Sequence, residues 1–286
     1  MNYKSKETIG IIFAIIAYFS FSILDTIQKS AVLYYSIFQL LLIKYIFVLL
    51  LSILEARRTK NVTFYKSKNL KLQIIRSLLS ILESGFFVLS FKYLSLANAH
   101  SIGALAPIII VVLSVFILNE RVSIKTWVAI FIGFIGVLII IRPGSDVFSI
   151  KSFIPLIAAF FLGLYQIATK KMTEYDAPEV SLFYSSLVGI FITSIMTFFF
   201  WQPVNLKSLW FFLPIGIFFS LGIYLQILAL KNARASIIQP FHYTLIFWAI
   251  IFGFFFYEDI PDLFTILGAI IITTSGIFVI NQISKR

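Results

Sequence analysis

The chain has 286 residues, of which 60% are apolar and only 12% are charged, and its mean hydropathy is +1.01. A soluble domain carries about a quarter charged residues, so this composition excludes an ordinary soluble enzyme. The abundance of aliphatic and aromatic side chains also excludes a disordered chain. Because the sequence contains no cysteine, disulfides, thiolate metal sites and a cysteine nucleophile are excluded as well.

Taken in chain order, long apolar segments recur and are separated by short polar breaks. A helix that crosses the hydrocarbon core of a bilayer needs about 20 apolar residues. Ten such segments, numbered spans 1 to 10, lie at about 8–28, 35–54, 72–92, 98–118, 124–142, 152–170, 180–201, 208–230, 236–257 and 262–282. The sequence therefore predicts an all-α integral membrane protein. Span 1 is expected to be retained as a helix, because no A-x-A cleavage site follows it.

Positive charge is distributed unevenly between the two sides of the predicted bundle. If the amino terminus lies in the cytoplasm, the cytoplasmic segments hold 16 Lys and Arg residues and the outer segments hold 5. Short cytoplasmic loops are enriched in Lys and Arg, so both termini are predicted to be cytoplasmic. The net charge of +11 is thus interpreted as a topology signal, with the basic 57–71 loop near anionic lipid, rather than as a nucleic-acid-binding surface.

The two halves of the chain show a weak internal repeat. The segment 17–29 aligns with 158–170 at an offset of 141 residues, and Glu120 aligns with Glu258 at an offset of 138. Ten spans in two halves give five spans per half, so the halves cross the membrane in opposite directions. Inverted repeats of this kind are typical of secondary transporters, in which the substrate binds between the halves near the midplane.

Several motifs resemble the EamA repeat of the drug/metabolite transporter superfamily. They are Leu94-Ser-Leu-Ala-Asn-Ala99, Leu118-Asn-Glu-Arg-Val122, the glycine-containing stretch 133–144, Ile238-Gln-Pro-Phe-His-Tyr243 and Tyr257-Glu-Asp-Ile-Pro-Asp262. The resemblance covers residues 8–282 and implies two EamA units, at 8–142 and 152–282. It also implies a ten-helix bundle of two inverted five-helix repeats, with a central cavity lined by spans 1, 3, 4, 6, 8 and 9.

Within that superfamily, the sequence resembles the subgroup of S-adenosylmethionine uptake and riboflavin carriers. The motifs that carry this resemblance are Asp25 with Lys29 in span 1, Arg76-Ser77 at the start of span 3, and the span 9 segment 238–243. The family usually has an arginine in span 2, where this chain has Lys44. Lysine keeps the charge but lacks the planar guanidinium fork, so the contact with substrate is expected to differ.

The few polar side chains at membrane depth are the candidate substrate-binding residues. A charge at the bilayer centre costs about 2.5–3.5 kcal/mol and requires compensation. Lys44 and Glu83 lie near the midplane of consecutive antiparallel spans and are predicted to pair, either at a substrate or proton site or as a structural ion pair. Asp25 and its repeat counterpart Gln166 are predicted to bind substrate from opposite halves, although Asp25 in an interfacial position is the alternative.

Span 9 supplies further candidates around a proline. Gln239, His242 and Tyr243 flank or follow Pro240, which removes a helix hydrogen bond and is tolerated where the helix lines a cavity. A histidine titrates near neutral pH, so His242 is either a proton relay or an ordinary hydrogen-bonding group. His100, at the start of span 4, is predicted to be interfacial.

Three aromatic residues are candidates for stacking on a flat ligand. Trp248 lies in the middle of span 9, unlike the tryptophans near span ends that form an aromatic belt. Tyr165 and Tyr224 lie in spans 6 and 8. Packing within the bundle is the alternative role for each of them. Glu120 and Glu258 are expected to be helix-end residues rather than substrate ligands.

Together these features predict a secondary transporter that works by alternating access in a bacterial cytoplasmic (inner) membrane. The mixed charges favour a small polar or zwitterionic metabolite, such as S-adenosylmethionine, an amino-acid derivative or riboflavin. No cofactor, metal or nucleic-acid partner is expected, and the chain is expected to act as a monomer or homodimer. One alternative is a multidrug or metabolite exporter. Another is a lipid-modifying membrane enzyme, which would need His, Asp and Glu clustered at one interface.

Overall fold

The fold was determined as a computed structural model, which describes residues 3–119, 123–142, 150–205, 208–260 and 262–284. All regular structure in these residues is helical. The α-helices are α1 (Tyr3–Ala31), α2 (Ile37–Arg58), α3 (Leu70–Phe91), α4 (Leu96–Gly103), α5 (Ala106–Ile117), α6 (Ile124–Ile141), α7 (Phe153–Met172), α8 (Pro178–Phe199), α9 (Leu209–Asn232), α10 (Ala235–His242), α11 (Thr244–Tyr257) and α12 (Leu263–Ser284), and a 3-10 turn at Ile150–Ser152 precedes α7.

These helices form the ten spans that the sequence predicts. Helices α4 and α5 together make span 4, α10 and α11 make span 9, and each remaining helix in the described residues is one span. Eight spans are long and apolar enough to cross a membrane. The other two, α6 and α12, have shorter apolar stretches, at Trp127–Gly136 and Leu263–Ser275, and pack against each other. The all-α membrane fold is thereby confirmed.

Spans 4 and 9 are broken at equivalent places in the two halves. The first break falls at Ala104 and Leu105, and the second at Tyr243, an offset close to that of the sequence repeat. Pro107 lies in the first turn of α5, where its missing N–H would have had no helical partner. Broken spans place helix ends at membrane depth, which is tolerated where the backbone is buried inside the protein.

The contacts between helices repeat from one half to the other. Helix α1 packs against α9, and its counterpart α7 packs against α3; the pairs α5–α7 and α11–α1 are related in the same way. The pairs α2–α8 and α6–α12 each join a helix to its own counterpart. Exchanging the halves therefore regenerates the contact pattern, as an arrangement of two inverted five-helix repeats requires. The repeats interlock, because α1 and α7 each pack on a helix of the other half.

Two lysines related by the repeat donate hydrogen bonds to backbone carbonyls at or just beyond helix ends, on opposite sides of the bundle. Lys29 Nζ donates to the carbonyl of Leu94, just after α3, at 3.3 Å. Lys170 Nζ donates to the carbonyls of Leu230 and Ala233, at the end of α9, at 2.7 and 2.9 Å. The last carbonyls of α9 lack intrahelical partners and carry partial negative charge, so Lys170 stabilises them. The same contact in both halves strengthens the weak sequence repeat.

Carboxylates of the second half hold the polar loop that precedes α3. Asp176 accepts a hydrogen bond from the Lys68 N–H at 2.9 Å, and Glu179 accepts one from Asn61 Nδ2 at 2.8 Å. Both carboxylates are buried, so each needs such donors to offset its loss of hydration. The 59–69 loop is thereby fixed against the start of α8. We call this side of the bundle inner and the opposite side outer, following the predicted topology.

Candidate functional site

A cavity lies at the centre of the bundle, between the two repeats. It is lined by α1, α3, α4, α7, α9, α10 and α11, which belong to the six spans that the resemblance implies, and by Lys44 of α2. The apolar lining residues include Phe21, Phe87 and Phe219. The polar lining residues are Tyr18, Asp25, Gln28, Lys44, Ser80, Glu83, Ser84, His100, Tyr165, Gln166, Gln226 and His242.

Lys44 is fully buried, and its ammonium group contacts Ser84 rather than Glu83. Its Nζ donates to Ser84 Oγ at 2.8 Å and lies 4.8 Å from the centre of the Phe219 ring, within range of a cation–π interaction. Glu83 lines the same cavity but forms no ion pair with Lys44 within 4.0 Å. Asp25, Lys44 and Glu83 all line the same cavity. The cavity lining thus combines one basic side chain with two acidic ones.

Asp25 and His100 form a second polar cluster in the outer part of the cavity. Asp25 Oδ2 lies 3.4 Å from His100 Nε2, and Asp25 Oδ1 accepts a hydrogen bond from Gln28 at 2.9 Å. His100 is buried and its ring meets the edge of Phe87 at a centroid distance of 5.1 Å. The prediction of an interfacial His100 is wrong, because the short helix α4 is buried along nearly its whole length and carries the ring inward.

A neutral hydrogen-bonding cluster occupies the opposite part of the cavity. Gln239 Nε2 donates to Gln166 Oε1 at 2.8 Å, which leaves Gln166 Nε2 and Gln239 Oε1 buried without a partner. The Tyr18 hydroxyl and His242 Nδ1 are also buried without a partner of normal geometry, and their rings meet edge to face at 5.1 Å. Buried polar atoms are nearly always hydrogen-bonded to protein or water. Tyr18, Gln166 and His242 line the cavity, so their polar atoms are suited to bind water or a polar ligand.

Six of the ten predicted residues line this cavity: Asp25, Lys44, Glu83, Tyr165, Gln166 and His242. Gln239 reaches it through its hydrogen bond to Gln166. Tyr224, Tyr243 and Trp248 are not among its lining residues. They contact, respectively, the carboxylate of Glu55, the apolar residues Ala104 and Ile246, and the rings of Phe19, Phe247 and Phe252.

Sequence reasoning missed several polar lining residues. Tyr18, Gln28 and Ser84 were not singled out, although Gln28 lies one helical turn after Asp25 and Ser84 directly follows Glu83. Helical periodicity around Asp25 would have found Gln28, because residues three apart share a helix face. Glu258 ends α11 in a left-handed conformation with φ 54°, in agreement with a helix-end role. Glu120 lies outside the described residues.

The chain is similar to known membrane transporters over nearly its whole length. A transporter of Helicobacter pylori, itself uncharacterized, is 29% identical over 280 residues and 94% of both chains. The riboflavin transporter of Vibrio cholerae is 31% identical over 59% of this chain and 57% of its own. The S-adenosylmethionine uptake transporter of Rickettsia bellii is 25% identical over 78% of this chain and 79% of its own.

A solved crystal structure shares the fold over 99% of this chain and 98% of its own, with a TM-score of 0.74 and 15% sequence identity. The family model for EamA-like transporters matches residues 8–142 and 150–282. This family match and the relatives confirm the resemblance stated from the motifs. The chain is therefore a multi-pass membrane protein that belongs to the EamA-like transporter family of bacterial membrane transporters.

Proposed function

We propose that the protein is an alternating-access carrier, rather than an enzyme, and that its substrate is a small zwitterionic or polar metabolite. The observation that carries this proposal is the cavity between the inverted repeats, which combines buried charges of both signs with unsatisfied hydrogen-bonding atoms. Binding sites of secondary transporters lie at such an interface near the midplane. The relative named for S-adenosylmethionine uptake supports a metabolite of this kind.

The charged part of the cavity is complementary to a zwitterion. Lys44 has one protein acceptor, Ser84, so its remaining ammonium protons are free to bind a substrate carboxylate. Asp25 and Glu83 line the same space and would attract a substrate ammonium or sulfonium group. Within the low dielectric of the membrane, such pairing offsets the cost of burying all three charges.

The neutral part of the cavity would bind the uncharged end of the substrate. The Gln166 amide, the Tyr18 hydroxyl and His242 Nδ1 line this part of the cavity and can donate or accept hydrogen bonds. Phe21 supplies apolar surface to the cavity.

Alternating access would exchange the contacts that close the two sides. On the outer side, Lys29 of the first half pairs with Asp259 of the second half at 3.4 Å. On the inner side, the Tyr224 hydroxyl of the second half donates to Glu55 of the first. Because the halves are inverted copies, states closed by one or the other set of contacts can have similar energies. We further propose that both termini face the cytoplasm and that the protein is a monomer or homodimer in the inner membrane.

Uptake into proteoliposomes tests this function. The purified chain is expected to take up labelled S-adenosylmethionine, riboflavin or an amino-acid derivative saturably, and to release the compound chemically unchanged. We expect Lys44→Gln and Glu83→Gln each to lower uptake by about tenfold or more, because each removes a charged contact to substrate. Lys71→Gln, which removes an exposed lysine of α3, is the control and should transport normally.

The outcomes separate the competing functions. Normal uptake by both Lys44→Gln and Glu83→Gln would reject the cavity as the substrate site. A modified product inside the vesicles would instead favour a lipid- or metabolite-modifying enzyme. Transport of large apolar cations, without saturable metabolite uptake, would favour the multidrug exporter.

A further inference from the structure

A buried carboxylate and a buried imidazole face each other in the outer part of the central cavity. Asp25 of α1 and His100 of α4 both line that cavity, and Asp25 Oδ2 lies 3.4 Å from His100 Nε2. Gln28 Nε2 donates to the other oxygen of the carboxylate at 2.9 Å and so orients it. A proton on His100 Nε2 therefore has its acceptor already in place.

The His100 ring is otherwise packed against aromatic side chains. Its centre lies 5.1 Å from that of Phe87 and 6.0 Å from that of Phe91, both on α3. In the described part of the chain, Asp25 is the only carboxylate within 4.0 Å of the ring. Histidine is the side chain whose charge ordinarily changes between about pH 5 and pH 8, so the Asp25–His100 pair is suited to bind a proton from solution.

The charges that line the cavity do not balance without such a proton. Lys44 contributes one positive charge, and ionised Asp25 and Glu83 contribute two negative charges, so one negative charge remains while the histidines are neutral. Net charge at membrane depth is costly. One proton on the Asp25–His100 pair makes the lining neutral, and a zwitterionic substrate, which adds no net charge, keeps it neutral.

The neighbouring charged groups leave this role to His100. Lys29, one turn after Asp25 on α1, is already paired with Asp259. His242 of α10 also lines the cavity, but no carboxylate of the described residues lies within 4.0 Å of it. Of the two histidines, His100 is therefore the one whose charged form has a counterion.

The remaining titratable side chains around the pair lie on several helices. Those that line the cavity are Tyr18, Lys44, Glu83 and Tyr165. Helices α6, α11 and α12 also pack against α4, and their titratable residues are Lys125 and Tyr257, both near helix ends. No second base therefore lies between His100 and Asp25.

We propose that Asp25 and His100 bind the proton that drives transport, so that the protein is a proton–substrate symporter. One proton passes from the outer solution to the His100 ring, whose Nε2–H then donates to Asp25. After the cavity opens inward, the ring releases one proton to the cytoplasm. One proton thus accompanies each substrate molecule. This coupling rests on the proposed transport function, whereas proton binding by the pair does not.

Nuclear magnetic resonance of the purified full-length chain measures proton binding without transport. The chain has only two histidines, so labelled imidazole nitrogens give two sets of signals, and His242→Gln assigns them. We expect the His100 ring to gain a proton between about pH 5 and pH 8. In Asp25→Asn the same step should require about a tenfold higher proton concentration, because a neighbouring carboxylate favours the imidazolium. Glu174→Gln, which removes an exposed carboxylate, is the matched control and should leave the His100 titration unchanged.

Coupling is measured in proteoliposomes as the ratio of uptake with an inward proton gradient to uptake without one. Labelled S-adenosylmethionine and riboflavin are the probes, and potassium with valinomycin holds the membrane potential at zero. With one proton per substrate molecule, accumulation should rise up to about tenfold per unit of pH difference. His100→Gln should lower this ratio to about one. His242→Gln is the matched control and should keep the ratio of the unmodified chain.

Three results would overturn the proposal. They are a His100 ring that gains no proton over the titration, uptake by the unmodified chain that ignores the proton gradient, and an equal loss of the ratio in His100→Gln and His242→Gln. Saturable uptake that ignores the gradient would reject the coupling and keep the carrier. A chain that binds the proton at His100 but transports neither probe would reject the carrier and the coupling, and the proton site would stand.

Discussion

At the residue scale, depth in the membrane identifies the important side chains but not their partners. Asp25, Lys44 and Glu83 stand out in the sequence because charge within a span needs compensation. The sequence suggested that Lys44 pairs with Glu83, yet Lys44 reaches Ser84, the next residue of α3. Which of two adjacent residues faces a neighbour depends on the rotation of the helix about its axis, and packing rather than local sequence sets that rotation.

Removal of the Ser84 hydroxyl should destabilise the empty protein. In Ser84→Ala the buried Lys44 ammonium loses its hydrogen-bond acceptor, which costs about 1–3 kcal/mol in the free energy of unfolding. Ser90→Ala is the control on the same helix, because the Ser90 hydroxyl donates to the Phe87 carbonyl of its own helix at 2.6 Å. Denaturation of both variants in detergent measures the difference. Equal stabilities would show that Ser84 does not support Lys44.

At the element scale, composition predicts the spans well and their interruptions poorly. Ten apolar segments correspond to ten spans, and the described helices extend some predicted ends into polar flanks, as in Tyr3–Ala31. The sequence predicts a lost helix hydrogen bond at Pro240 in span 9 but not the breaks themselves, at Ala104–Leu105 in span 4 and at Tyr243 in span 9. Pro107 marks one of them in hindsight, and contacts between the halves accompany both.

The contact of Lys170 with the end of α9 gives a stability prediction at the element scale. Lys170→Met should destabilise the protein by about 1.5–3 kcal/mol, because the carbonyls of Leu230 and Ala233 lose a charged donor at the end of α9. Lys171→Met is the matched control, since the neighbouring side chain is exposed. Thermal unfolding of the two variants compares them directly. A Lys171→Met protein as unstable as Lys170→Met would attribute the loss to charge near the membrane surface instead of helix capping.

At the scale of the whole molecule, the odd number of spans in each half and the family motifs predict the architecture. Helix packing then determines where the site lies. Five spans per half require inverted repeats, and the EamA motifs indicate the family. The interlocking of α1 with α9 and of α3 with α7 was not predicted, because weak repeats do not specify which helices meet. That interlocking places Asp25, Lys44 and Gln166 around one cavity.

The absence of cysteine from the sequence allows alternating access to be measured with single introduced thiols. Ser80 lines the cavity in the middle of α3, and Ser80→Cys changes its size little. Lys66→Cys in the inner loop and Val204→Cys in the outer loop mark the two sides, as both positions are exposed. A membrane-impermeant maleimide, applied from either face of oriented vesicles, reports which side each thiol can reach.

This labelling tests the central claim most directly. We predict that Lys66→Cys reacts only from the cytoplasmic face and Val204→Cys only from the outer face, whereas Ser80→Cys reacts from both and is protected by transported substrate. Reaction of Ser80→Cys from one face alone, with substrate present or absent, would contradict a site exposed alternately to the two sides of the membrane.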